Sequence, residues 1–129
     1  MNKPILLKGA ILGAVAVILG ALGAHALKNV LTPEQLLSFE TGVKYQMYHA
    51  LLLVILSLAI KPTSSKYLLT AVNLIFLGVI LFSGSIYLLT IKNILGMEFL
   101  KFVGPITPIG GILIVVGWVL LILEGLKKN

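Results

Sequence analysis

Phe39-Glu40-Thr41-Gly42-Val43-Lys44-Tyr45-Gln46-Met47-Tyr48-His49-Ala50 runs directly into Leu51-Leu52-Leu53-Val54-Ile55-Leu56. The first part holds one of the chain's four acidic residues, a lysine, two tyrosines and one of its two histidines. The second part is hydrocarbon. Nothing between them stops a helix, so the stretch reads as one helix that begins polar and ends in a bilayer. A charge in hydrocarbon costs at least about 2.5–3.5 kcal/mol on insertion scales, so the ionisable end needs partners. The expectation is that three further membrane helices pack around this one.

The composition supplies those helices. Of 129 residues, 59% are hydrophobic and 11% charged, with a mean hydropathy of +1.11. A soluble domain of this size needs far more polar surface. Apolar runs fall at 5–26, 45–60, 67–91 and 105–123. Each meets or approaches the roughly 20 residues that span a bilayer core, and backbone in lipid must bond to itself, so the runs are helices. The chain is too short and too continuous for a β-barrel. The fold class expected is an all-α integral membrane protein: one domain over residues 1–129 with four transmembrane helices. Without cysteine there is no disulfide or thiolate metal site.

Upstream of the quoted stretch, Thr32-Pro33-Glu34-Gln35 is a helix start, with Thr32 as N-cap, Pro33 in the first turn and Gln35 closing a capping box. A helix from Pro33 to Ile60 would be about 42 Å long, more than the membrane core needs. Its first turns, with Leu36, Leu37, Phe39 and Val43 against Glu34, Ser38 and Glu40, read as an interfacial amphipathic extension before helix 2, with Gly42 as a candidate bend. Residues 92–104 are too apolar to stand in water and are expected to rest on the membrane surface, with Lys92, Glu98 and Lys101 turned outward.

Helix 1 carries Gly9, Gly13, Ala16, Gly20 and Ala24 along one face. Small residues let backbones approach closely in lipid. The face suits contact with another helix of the same chain, or a seam with a second copy. Lys3, Lys8 and Ala24-His25-Ala26 also imitate a cleavable leader; the stretch is read as the first span. Pro62 ends helix 2, and Ser64 or Ser65 caps helix 3. Asn73, Ser83 and Ser85 read as packing and backbone-bonding residues. Trp118 is placed toward the inner interface, and Glu124 is expected to pair with Lys127 or Lys128.

All ten cations are lysines. Lys3, Lys8, Lys61, Lys66, Lys127 and Lys128 fall on one side of a four-span layout. Lys28, Lys44, Lys92 and Lys101 fall on the other, together with Glu34, Glu40 and Glu98. The positive-inside rule then puts both termini in the cytoplasm of a cell whose cytoplasmic membrane the chain crosses. A net charge of +6 scattered around helix ends suits membrane lipids as partners and argues against nucleic acid.

Glu40 and Lys44 are four apart with the acid first, the favourable order for a helical pair. Tyr45 and His49 are also four apart, and Lys44 shares a face with Tyr48. His25 closes helix 1 at about the depth of Lys44. A polar pocket of His25, Glu40, Lys44, Tyr45, Tyr48 and His49 is the candidate site. Its plainer reading is a lock between helices 1 and 2. Two histidines without a third close ligand do not make a metal or haem site, and there is no aspartate, cysteine or G-x-S-x-G for hydrolysis. No metal, cofactor or catalytic residue is expected.

Gly23-Ala24-His25 together with Phe39 through Ala50 resembles the signature of the YgdD/YwdK-like family of small membrane proteins, known as domain of unknown function 423. The small eukaryotic transmembrane protein 256 group is similar. The resemblance implies a four-helix membrane protein without an assigned enzymatic activity, and it brings no catalytic residue. The function expected is therefore non-enzymatic, structural or modulating, with self-association through the glycine face as one route. The alternative is a lipid-, small-molecule- or proton-handling protein using the polar pocket.

Overall fold

A computed structural model describes residues 1–127. These form α1 (Lys3–His25), α2 (Pro33–Ala59), α3 (Lys66–Leu95), a 3-10 segment (Glu98–Val103) and α4 (Ile106–Gly125), with no strand among the described residues. Four helices are long and apolar enough to cross a membrane. The start of α1, the end of α4 and the α2–α3 turn lie at one end of the bundle; the α1–α2 and α3–α4 connections lie at the other. We refer to these as the terminal end and the connector end.

Local chemistry sets the boundaries. The Asn2 side chain accepts from the Ile5 amide to start α1. Thr32 and Gln35 form the capping box of α2: the Thr32 hydroxyl accepts the Gln35 amide at 3.3 Å and the Gln35 side chain accepts the Thr32 amide at 3.0 Å. Ser65, one of the two serines expected, caps α3. Helix α3 runs to Leu95, four residues beyond the apolar run, and stops at Gly96, whose φ of 65° suits a residue without a side chain.

The second helix is not the hub that the sequence suggested. α3 has nine buried residues against seven in α2, five in α1 and three in α4. It packs on both α2 and α4, while α1 packs on α2. The reason lies in side-chain size. Where Gly78 of α3 passes α4, a Cβ would lie 2.8 Å from the Gly110 carbonyl oxygen. A Cβ on Gly110 would press on the Phe82 amide, and one on Gly117 would meet Ile75 Cγ1 at 2.5 Å. Contact this close is what binds helices in lipid, where no hydrophobic effect separates protein from solvent.

The small-residue face of α1 is likewise closed against its own chain. A Cβ on Gly9 would sit 2.9 Å from the Ala50 carbonyl oxygen, and one on Gly20 3.4 Å from Val43. Ala16 is buried, whereas Ala24 is exposed; its neighbour Gly23 takes the place, covered by the Phe39 ring. The expected stripe therefore ends one residue earlier, and α2 occupies the face that a second copy would need.

The amphipathic extension is an unbroken part of α2, which runs from Pro33 to Ala59. Phe39 joins buried Leu27 and Leu31 of the connection, with Leu36 and Val43 packed alongside, whereas Leu37 stays exposed. Gly42 lies in the helix interior, where a Cβ would meet Ile86 and Tyr87 at 3.2 and 3.3 Å; its smallness serves α3. Residues 96–105 hold the 3-10 segment, from which Phe99 and Phe102 project, exposed. Lys92 and Glu98 lie 3.9 Å apart there.

Candidate functional site

The buried polar side chains of the bundle are few, and each joins helices or bonds its own backbone. Gln46, on the buried face of α2, donates through Nε2 to the Leu12 carbonyl of α1 at 2.8 Å. Its Oε1 accepts from the Tyr87 hydroxyl of α3 at 2.6 Å. One amide thus ties three helices. Ser83 of α3 donates to the Gly42 carbonyl of α2 at 2.7 Å. Ser85 of α3 bonds Thr107 of α4 at 2.5 Å. Near the terminal end, Lys8 donates to Asn73 at 2.9 Å, and Ser65 donates to Glu124 at 2.6 Å. Glu124 also pairs with Lys127; Lys128, the other expected partner, lies outside the described residues.

His49 makes the tie between α2 and α4. Its Nδ1 lies 2.6 Å from the Tyr45 carbonyl, which can only accept, so Nδ1 carries the proton. Nε2 then accepts the Trp118 indole N–H at 3.1 Å. The two contacts together define a neutral imidazole in one tautomer. Tyr45 stacks on the imidazole at 6.3 Å between ring centroids, and Trp118 meets it edge-on at 6.1 Å. Trp118, in the half of α4 nearer the terminal end and partly exposed, is thus tied to a buried histidine of α2.

The six residues expected to share a pocket separate into two sets. Tyr45, Tyr48 and His49 come together as an aromatic group, with Tyr45 and Tyr48 6.1 Å apart. His25 is exposed at the end of α1, and Lys44 is exposed on α2. The ion pairs among the described residues are Lys92–Glu98 and Lys127–Glu124, so Glu40 and Lys44 do not pair despite their spacing. Three residues that complete the polar ties, Gln46, Tyr87 and Trp118, were missed in the sequence. Gln46 had a signal: it lies on the helical face of Gly42, Ala50 and Leu53, a polar residue among small and buried ones.

Between α2 and α4, above the His49–Trp118 bond, lies a cleft of about 470 Å³. Thr41 and Tyr45 form its α2 wall, Gly111, Ile114 and Val115 its α4 wall, and Phe82 of α3 its back. The lining is almost wholly carbon. Among the described residues no group of three metal-ligating side chains occurs.

Four apolar spans joined by internal polar ties define a small multi-pass membrane protein. Residues 19–111 match the family model described as "Protein of unknown function (DUF423)", and the chain belongs to that family. It is similar to the UPF0382 membrane protein YwdK of Bacillus subtilis (strain 168), with 39% identity over 126 residues, 97% of this chain and 98% of the relative. The UPF0382 membrane protein SAB0533 of Staphylococcus aureus is 41% identical over 125 residues, 97% of each chain. SH2409 of Staphylococcus haemolyticus is 40% identical over the same share of each. No solved structure matches the chain.

Proposed function

We propose that the protein is a non-enzymatic component of the cytoplasmic membrane, structural or modulating in role, with both termini in the cytoplasm. The observation that carries this reading concerns satisfaction of polar groups. Among the described residues, every buried side-chain nitrogen or oxygen already has a hydrogen-bond partner within the chain. Gln46, His49, Ser83 and Ser85 are used to hold helices, and none is left to turn toward a substrate. A catalytic site instead keeps groups poised and incompletely paired until substrate arrives. The lysine distribution supports the orientation.

Native mass spectrometry of the protein released from its own membrane tests the reading. The expected masses are the polypeptide alone and the polypeptide with phospholipid. His49→Phe should lower the unfolding midpoint in detergent, whereas Glu40→Gln should leave it unchanged. A stoichiometric non-lipid small molecule retained by the wild-type chain and lost from a folded His49→Phe variant would sink the proposal.

A further inference from the structure

We infer that the cleft between α2 and α4 is a binding site for an anionic phospholipid, with one acyl chain in the cleft and the phosphate at Lys44. This goes beyond the structural role and does not depend on it. Three observations carry it.

The first is the position of the cleft. α4 packs on α3, and its side-chain tie to α2 is the hydrogen bond from Trp118 to His49. Above that bond the two helices stand apart with Phe82 between them. On both rims the neighbouring side chains are exposed and apolar or aromatic: Ile112, Val115 and Tyr48. The opening therefore faces hydrocarbon, and a carbon-lined cleft there is filled by a hydrocarbon chain. Its 470 Å³ falls in the roughly 300–1,000 Å³ range of small-ligand sites.

The second is shape. From Pro108 to Val116 the α4 wall is about 12 Å long at helical rise, so the cleft is a slot that runs along the helix. Gly111 keeps its back open: a Cβ there would only just touch the Phe82 ring, at 3.7 Å. A flexible unbranched chain fits a slot of this form.

The third is charge. Lys44 precedes Tyr45 on the wall and stands three residues from Thr41. It is exposed and is absent from the ion pairs of the described residues. A lysine in this place extends its stem toward the interface and sets its ammonium at phosphate depth. Helical periodicity puts Glu40 further round α2 from Tyr45 than Lys44, so the rim that meets the head group is cationic.

Trp118 is the only tryptophan and lies at the floor of the slot, which makes it the reporter. The full chain is reconstituted in phosphatidylcholine vesicles in which one lipid in ten is brominated along its acyl chains. That lipid is phosphatidylglycerol in one series and phosphatidylcholine in the other. Bromine quenches indole on contact. Lipids in general contact with the surface quench equally in both series, so the difference between them reports a selective site. Brominated phosphatidylglycerol should bind about five-fold more strongly, the scale of one lysine acting on an anionic head group. Lys44→Gln, at an exposed position, should erase the difference while circular dichroism stays that of the wild type. Gly111→Leu should reduce quenching in both series. Equal quenching in the two wild-type series would overturn the site, as would a difference that survives Lys44→Gln. Weak quenching in both, with a dimer in native mass spectrometry, would overturn it in favour of a second copy covering the slot.

Discussion

Gln46 is the residue on which the centre of the bundle turns. Its two bonds reach α1 and α3 at once. Interhelical hydrogen bonds in membranes average about 0.6 kcal/mol and reach about 1.7. Gln46→Leu should therefore cost about 1–3 kcal/mol, read from unfolding in mixed detergent micelles followed by circular dichroism. Tyr87→Phe removes the matching donor. The double variant should cost clearly less than the two single changes added together, because the second loss leaves nothing more unpaired. Strict additivity would mean that the two side chains do not act as a pair. The charged residues show the opposite lesson. The spacing of Glu40 and Lys44 was legible, but their pairing did not follow from it, since spacing along one helix says nothing about which way a long side chain turns. The partners of His49 and Gln46 on other helices were not legible because each lies 34 or more residues away along the chain. Finding them requires knowing the order of helices around the bundle, which hydropathy does not encode.

At the scale of the helix, glycine decides which surfaces meet. Gly110 and Gly84 make the contrast. A Cβ at Gly110 would lie 2.7 Å from the Gly78 carbonyl oxygen, whereas nothing comes within 4 Å of one at Gly84. Gly110→Ala should destabilise the fold by about 1–3 kcal/mol through overpacking against a backbone that cannot yield. Gly84→Ala should be neutral or stabilise α3 by up to about 1 kcal/mol, through lower chain entropy in the unfolded state. Detergent-unfolding midpoints of the two variants check this, and equal midpoints would remove glycine packing from the account. The sequence signals for single helices hold at the Thr32–Gln35 box and the Ser65 cap, and along the small-residue face of α1 up to its last residue, where Gly23 replaces Ala24. The rank of the helices was not legible. α2 drew attention because its polar residues are conspicuous, but α3 is the more buried. Its importance rests on Gly78 and on small residues such as Ala71 and Ser83, which carry little pattern.

Taken whole, the molecule is two helical pairs laid side by side. α1 and α2 share one glycine-lined contact, and α3 and α4 share another. The pairs are joined by the hydrogen bonds Tyr87–Gln46, Ser83–Gly42, Lys8–Asn73 and Trp118–His49. The covalent link between them is the short turn Ile60–Ser65, in which Lys61, Pro62 and Thr63 are exposed. Continuity of the polypeptide at that turn is therefore expected to be dispensable. Residues 1–62 and 63–129, made as separate chains in the same cell, should each insert as a hairpin and find one another in the bilayer. Tagging one half should recover the other, and Gln46→Leu should weaken the recovery. If the halves insert yet never copurify, the joining bonds are too weak to assemble the protein without the tether.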